Sequence, residues 1–122
     1  MSKKESFLSN RIKSVGYAFK GAYLLITTEN SIKLQFCIGI VMTVLGFIVN
    51  LSATEWIIQI LTIGLILSIE GLNTAIEEIA DFIHPEHHSK IGLIKDLAAG
   101  AVFILAIAAV IVGCIIYFPK IF

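Results

Sequence analysis

Three long stretches of this sequence are almost free of charge, and they restrict the chain to very few folds. Residues 34–54 and 97–118 contain no charged side chain, and residues 56–76 contain one, Glu70. Each stretch holds about 21 residues, which as a helix is about 32 Å long and matches a hydrocarbon core of roughly 30 Å. Backbone groups inside lipid must be satisfied within their own segment, so the stretches predict three transmembrane helices and an all-α, integral-membrane fold.

The composition also points to a protein that uses the bilayer as part of its solvent. Hydrophobic residues make up 57% of the chain and charged residues only 15%, whereas a soluble domain carries about 25% charged residues. Nine Lys and Arg balance nine Asp and Glu, which excludes a basic nucleic-acid-binding protein. A length of 122 residues predicts a single domain, 1–122.

The basic residues predict how the chain crosses the membrane. Eight of the nine fall on one side of the three predicted spans, namely Lys3, Lys4, Arg11, Lys13, Lys20, Lys33, Lys90 and Lys95. Because basic residues concentrate in cytoplasmic segments, the N-terminus is expected inside and the C-terminus outside. On this topology Cys37 and Cys114 lie at different depths, so both are expected to be free thiols.

The residues before the first span predict a surface helix over 6–28. Apolar residues recur there at intervals of three and four on one face: Leu8, Ile12, Val15, Phe19, Ala22 and Ile26. Lys13, Tyr17 and Lys20 lie on the opposite face. This pattern is typical of an amphipathic helix in the inner interface, although a helix that simply packs on the bundle would show it too.

A stripe of polar residues follows the middle of the second span. Five residues fall within about 100° on one helical face, namely Glu70, Asn73, Thr74, Glu77 and Asp81. Glu70 is about 21 Å along a helix from Trp56, which places it at or just inside the cytoplasmic boundary. Residues 70–86 contain five acids and no Lys or Arg, so a cation such as Mg²⁺ is expected there. The alternative is a span that ends at Ile69 and leaves the acids solvated.

Several other polar residues lie near the same boundary. Glu29, at the end of the surface helix, either completes the cation site or is a solvated helix-end charge. Lys95 is either a snorkelling anchor or a phosphate contact, and Asp96 suits the first turn of a helix either way. The chain has neither a P-loop nor a nucleophile elbow, and its three loop histidines, His84, His87 and His88, are expected to be solvated.

Three motifs together resemble the prokaryotic diacylglycerol kinase family, small integral-membrane lipid kinases that include undecaprenol kinases. They are an N-terminal pattern of Arg11, Ser14, Ala18 and Gly21 that leads to Glu29 and Asn30, the segment EGLNTAIEEIAD at 70–81, and KDLAAGAV at 95–102. The resemblance implies a homotrimer with active sites between subunits at the cytoplasmic interface. Gly39 with Gly46 and Gly64 with Gly71 are compatible with close helix approach.

The resemblance also implies transfer of the ATP γ-phosphoryl group to a lipid hydroxyl, with Mg²⁺ as cofactor. Glu70 and Asn73 are the implied catalytic residues, and Glu29 and Glu77 the implied metal ligands. The implied ATP contacts are Lys95, Asp96, Glu77, Asp81 and Tyr17. The implied lipid contacts are Arg11, Ser14, Glu70 and Gln35, the last at a position where many undecaprenol-type members carry His.

The acceptor and the class of function each leave alternatives. Diacylglycerol, which would give phosphatidic acid, is the first expectation for the acceptor, and undecaprenol is the alternative. NTAIE and KDLAAGAV read more like the undecaprenol-type members. A small oligomeric transporter would also place a Glu in a span, and a non-catalytic scaffold is a third possibility. The resemblance implies a bacterial cytoplasmic membrane as the location.

Overall fold

The computed structural model describes residues 6–122, and these residues form four helices joined by short connections. Helix α1 spans Phe7–Thr28, α2 spans Asn30–Ile48, α3 spans Ala53–Ile83 and α4 spans Ser89–Ile121. Helices α2, α3 and α4 are each long and apolar enough to cross a membrane. The predicted all-α fold with three candidate spans is therefore confirmed. Lys3 and Lys4, which the orientation prediction uses, lie outside the described residues.

Local hydrogen bonds define where the helices begin. The Ser6 hydroxyl caps α1 by accepting from the Ser9 N–H at 3.1 Å. At the start of α3, the Ser52 hydroxyl accepts from the Glu55 N–H at 3.2 Å, and the Glu55 carboxylate accepts from the Ser52 N–H at 2.9 Å. This capping box satisfies two backbone donors that a helix start otherwise leaves unpaired. Glu29 separates α1 from α2 by a single extended residue, with φ −93° and ψ 118°.

The helices and the predicted spans differ in their bounds. Helix α2 ends at Ile48, six residues before the predicted end of the first span, 34–54. Asn50 adopts a left-handed conformation with φ 56°, which breaks the helix before the capping box starts the next one. Helices α3 and α4, with 31 and 33 residues, extend beyond the predicted spans 56–76 and 97–118. Helical hydrogen bonding does not stop where the hydrocarbon does, so charge-free length underestimates these two helices.

Helix α3 packs against both α2 and α4, and glycine permits the closest approaches. A Cβ at Gly46 would lie 2.8 Å from side-chain atoms of both Leu51 and Trp56, and one at Gly39 would lie 3.1 Å from Ile63. A Cβ at Gly71 would lie 3.0 Å from Leu25 of α1. Three of the four glycines in the two predicted pairs thus face a neighbouring element. The fourth, Gly64, has no described atom close enough to meet its Cβ.

Most of the apolar surface of the chain faces outward. The buried core is a small cluster of Leu51, Ile116 and Tyr117 beside the α2–α3 connection. Helix α1 contains no buried residue, and Leu8 and Phe19 on its apolar face are 68% and 74% exposed. A bilayer or further protein must cover this surface, because an exposed apolar area of this extent is unfavourable in water. The interfacial position of α1 stays a prediction, because its apolar face meets little of the described chain.

The close approach at Gly46 predicts a difference between two glycine substitutions. Gly46→Ala is expected to destabilise the protein by about 1–3 kcal/mol, because the added methyl overpacks against Leu51 and Trp56. Gly100→Ala in α4 is the matched control, since a Cβ there meets nothing within 4 Å. The unfolding midpoints of both variants in detergent, titrated with SDS, measure the difference. Equal midpoints would contradict the packing described for Gly46.

Candidate functional site

The polar stripe predicted from the sequence lies on one unbroken helix. Helix α3 does not end at Ile69 but continues to Ile83, so the stripe residues are held by the same rigid element that crosses the apolar region. Exposure increases along the stripe. Glu70 is buried, with only 9% of its surface exposed, Asn73 is half-buried, and Glu77 and Asp81 are exposed. The stripe therefore leads from the buried interior of the bundle to the exposed surface of α3.

Glu70 shares a cavity with Gln35. The cavity has a volume of about 400 Å³, lies between α2, α3 and α4, and is lined mostly by apolar side chains. Glu70 and Gln35 line it from α3 and α2, and the Glu70 backbone carbonyl accepts a hydrogen bond from the Thr74 hydroxyl at 3.1 Å. Two residues that the sequence assigned to a lipid contact are thus brought to the same apolar space.

Asn73 and Glu77 form a pair of oxygen-bearing side chains one turn apart. The Asn73 Nδ2 donates to the Glu77 Oε1 at 3.5 Å. The Asn73 Oδ1 is buried and has no hydrogen-bond partner among the described residues. A buried oxygen without a donor beside a carboxylate suits a hard cation, since Mg²⁺ prefers oxygen ligands and needs only one or two carboxylates in addition to phosphate oxygens. These residues therefore fit the cation that the sequence predicted.

An ion pair connects the KD motif to the stripe. The Lys95 Nζ of α4 lies 2.5 Å from the Asp81 Oδ1 of α3. Both side chains are partly exposed, Lys95 at 38% and Asp81 at 58%. The contact places a cationic side chain at the water-accessible end of the stripe. Asp96, the next residue, is exposed.

Glu29 is half-buried at the bend between α1 and α2. Its backbone is fully used there: the N–H donates to the Leu25 carbonyl at 3.2 Å, and the carbonyl accepts from the Lys33 N–H at 2.9 Å. Its side chain takes no part in capping α2. Within residues 6–122, no three or more His, Cys, Asp or Glu side chains are grouped to hold a metal. Glu29 and Glu77 therefore do not form a ready-made metal cluster in the single chain.

The α1 residues assigned to the site are not brought to the stripe in this chain. Arg11, Ser14 and Tyr17 are all exposed. The Arg11 guanidinium lies 5.4 Å from the centre of the Phe7 ring, and the Ser14 hydroxyl donates to the Asn10 carbonyl at 2.9 Å. Along α1, Ser14 is about 16 Å from Leu25, which packs on α3. Helical spacing identifies the face that these residues share, but it does not orient the helix.

Two of the loop histidines have structural roles that the sequence interpretation missed. His84 ends α3, and its Nδ1 donates to the Glu86 carbonyl at 2.7 Å. His88 caps α4, where its Nδ1 accepts from the Lys90 N–H at 3.0 Å. The two rings lie 5.1 Å apart. These contacts require different tautomers. The Nδ1 of His84 must carry a hydrogen because a carbonyl only accepts a hydrogen bond, and the Nδ1 of His88 must lack one because it accepts from an N–H.

Gln59 and Tyr117 were also missed, although the sequence contains a signal for Gln59. They line the cavity at the end away from Glu70, and they are 6% exposed. The Gln59 side chain is an isolated amide within a predicted span, and polar groups in such segments are usually hydrogen-bonded across helices. That signal predicts a partner for Gln59, but only the fold identifies the partner as Tyr117.

Comparisons with known proteins give the same family along nearly the whole chain. Residues 16–117 match the model of a family described as prokaryotic diacylglycerol kinase. The chain is 38% identical over 113 residues to the undecaprenol kinase of Bacillus subtilis (strain 168), which covers 93% of this chain and 92% of that protein. It is 31% identical over 105 residues to the diacylglycerol kinase of Escherichia coli (strain K12), 86% of each.

The exposure of the Lys95–Asp81 pair predicts that it contributes little to stability. Asp81→Asn and Lys95→Met are each expected to leave the midpoint of unfolding in SDS nearly unchanged, because solvent screens the pair. An SDS titration of the two single variants and the double variant isolates the interaction. A strong coupling between the two substitutions, typical of a buried ion pair, would show that the pair is part of the structural core instead.

Proposed function

This chain belongs to the prokaryotic diacylglycerol kinase family of lipid kinases, and we propose that it transfers the γ-phosphoryl group of ATP to the hydroxyl of undecaprenol with the help of Mg²⁺. The observation that carries the proposal is the placement of Glu70 between an apolar cavity and the exposed part of the polar stripe. Only 9% of the surface of Glu70 is exposed. A lipid hydroxyl and a water-soluble nucleotide can meet only at such a boundary.

Glu70 is the residue placed to act on the lipid hydroxyl. A hydroxyl at headgroup depth would enter beside Glu70, while the hydrocarbon part of the lipid stays among apolar side chains. In this position the carboxylate would orient the hydroxyl and accept its proton as the new O–P bond forms and the bond between the γ-phosphorus and ADP breaks, with ADP as the leaving group. Gln35, in the same cavity, supplies an amide that can hydrogen bond to the hydroxyl.

The remaining stripe residues are suited to a nucleotide phosphate. Asn73 and Glu77 offer oxygen ligands, and Glu29 would add a second carboxylate from the α1–α2 bend. Mg²⁺, when bound by these residues and by phosphate, supplies charge neutralisation. Lys95, which Asp81 holds at 2.5 Å, adds a positive charge at the same end. Phosphoryl transfer depends mainly on positioning and charge stabilisation, which these groups can provide.

The choice of undecaprenol rests on similarity along the chain. The sequence alone put diacylglycerol first. The 38% identity to an undecaprenol kinase over 93% of this chain exceeds the 31% identity to a diacylglycerol kinase over 86%. The motifs NTAIE and KDLAAGAV favour the same acceptor. We therefore take undecaprenol as the acceptor and diacylglycerol as its rival.

The membrane placement and the assembly are part of the proposal. The N-terminus and the connection between α3 and α4 lie on the cytoplasmic side, as the basic residues indicate. The chain forms a homotrimer in which α1 of one subunit borders the stripe of its neighbour. The exposed positions of Arg11, Ser14 and Tyr17 support this arrangement, since a second subunit would give them a binding site to join.

The roles of two acids predict distinct kinetic defects. Glu70→Gln is expected to lower kcat by about 10²–10⁴-fold, because it removes the proton acceptor. Glu77→Gln is expected to raise the Mg²⁺ concentration needed for half-maximal activity, because it removes a metal ligand. Glu78→Gln, at an exposed acid outside the stripe, is the matched control and keeps wild-type kinetics. Transfer of label from γ-labelled ATP to lipid, measured over a range of Mg²⁺ concentrations, tests all three. An unchanged Mg²⁺ dependence would remove Glu77 from the metal site.

Acceptor preference is tested by direct competition. Undecaprenol is expected to be phosphorylated with at least a tenfold higher kcat/KM than diacylglycerol in the same mixed micelles. A preference for diacylglycerol would reverse the acceptor assignment and leave the kinase assignment intact. Solute flux into liposomes that needs no ATP and survives Lys95→Ala would instead support the transporter alternative. A scaffold predicts that Glu77→Ala assembles with no loss of function.

A further inference from the structure

Three helices meet at one buried group of hydrogen bonds far from the polar stripe. The Gln59 Nε2 of α3 donates to the Met42 carbonyl of α2 at 3.0 Å. The Tyr117 hydroxyl of α4 hydrogen bonds to the Gln59 Oε1 and lies 3.3 Å from the same Met42 carbonyl. Gln59 and Tyr117 are each only 6% exposed. We call Gln59, Tyr117 and the Met42 carbonyl the polar junction.

The polar junction restricts the rotation and depth of its helices more strictly than apolar packing does. Aliphatic side chains in a span tolerate small rotations and slips of a helix, since one apolar contact replaces another at similar energy. A hydrogen bond is directional, so an amide that bonds two neighbouring helices has one favourable rotation and depth. Single buried polar residues set the register of packed helices in this way in coiled coils.

The geometry of α3 connects the junction to the stripe. Glu70 follows Gln59 by eleven residues, about 20° more than three full turns, and Glu77 follows it by eighteen, or about five full turns. The three side chains therefore project from nearly the same face of one helix, and the cavity is lined by both Gln59 and Glu70. No proline interrupts α3 between them. A rotation of α3 at Gln59 thus becomes a rotation of Glu70 and Glu77.

A small rotation would displace the acids by a distance that matters for the reaction. Side-chain ends lie about 5–6 Å from a helix axis, so a 30° rotation moves them by about 3 Å. A misplacement of about 1 Å can lower the rate of a positioned reaction by about 10²-fold. On the inner part of α3 the buried positions are Gly71 and Ala80, whereas residues 72–79 between them are all at least partly exposed and the Asp81–Lys95 pair is solvent-accessible.

We propose that Gln59 and Tyr117 are positioning residues, which set the rotation and depth of α3 and thereby place Glu70 and Glu77 for phosphoryl transfer. This inference rests on the proposed kinase function for its kinetic consequence. Its geometric part, that the polar junction sets the rotation of the inner half of α3, is independent of any activity.

The test compares Gln59→Leu with a control in the same span. Gln59→Leu keeps the volume and removes the amide, while the Tyr117 hydroxyl retains the Met42 carbonyl as an acceptor, so the protein is expected to fold. The control is Thr62→Val, because the Thr62 hydroxyl bonds within α3, to the Ile58 carbonyl at 2.7 Å. For Gln59→Leu we expect a kcat at least tenfold lower and a half-maximal Mg²⁺ concentration at least threefold higher per folded molecule. Thr62→Val is expected to leave both unchanged.

Two further variants separate positioning from stability. Gln59→Glu, when protonated, retains one donor and one acceptor, and it is expected to restore most of the activity and the Mg²⁺ dependence. Tyr117→Phe in the Gln59→Leu background is expected to lower kcat by much less than it does alone, because the junction is already broken. Should Gln59→Leu fail to fold, Tyr117→Phe is judged by the same kinetic criteria. Unchanged kcat and Mg²⁺ dependence in a folded variant would overturn the proposal.

A distance measurement distinguishes this inference from the kinase proposal. Spin labels at Ile79 of α3 and Leu97 of α4, both exposed, report the inner end of the bundle in protein whose Cys37 and Cys114 are replaced by Ser. Dilution with unlabelled protein restricts the signal to pairs within one chain. Gln59→Leu is expected to shift or broaden the distance distribution, and Thr62→Val is not. If the wild-type protein has no lipid kinase activity and Gln59→Leu still shifts the distance distribution, only the kinase proposal is rejected. An unshifted distribution would reject the inference that the polar junction sets the rotation of α3.

Discussion

Backbone amides have no water to bind inside a bilayer, and this constraint governs the rest of the molecule. Each spanning segment must satisfy its own N–H and C=O groups, which makes it a helix, and each charged side chain must lie near a helix end or find a partner. The three candidate spans among residues 6–122 follow that pattern, with few charges across most of their length. Polar chemistry is therefore confined to the boundary, and the arrangement of helix ends determines what can meet there.

Helix α3 is long enough to extend past the hydrocarbon core at this boundary. Its 31 residues span about 46 Å, more than a hydrocarbon core of roughly 30 Å requires. The excess carries Glu77 and Asp81 into the water-accessible region on the same rigid element that holds Glu70 in the apolar cavity. One helix thus holds both halves of the proposed site for a lipid and a nucleotide, with fixed spacing between them.

Periodicity and charge in the sequence were sufficient to predict the helical fold, the number of candidate spans and the shared face of Glu70 and Glu77. They were less informative where the outcome depends on contacts between helices. The end of α2 at Ile48 depends on the left-handed Asn50 and the capping box that follows it. The pairing of Gln59 with Tyr117 and the direction of α1 depend on which faces meet, and a spacing pattern does not contain that information. Arg11 and Ser14 are likewise exposed in the single chain, and their helical spacing does not indicate which surface they would contact.

The end of the bundle opposite the stripe has a different significance. Its charged side chains are Glu55 and Lys120, whose carboxylate and ammonium groups lie 2.9 Å apart. Residues 34–54 and 97–119 around them carry no charge. Under the proposed orientation this end lies on the far side of the bilayer from the stripe, and pairing leaves neither charge unmatched there. Because Glu55 lies in the first turn of α3 and Lys120 in the last turn of α4, this ion pair joins the start of one candidate span to the end of the next.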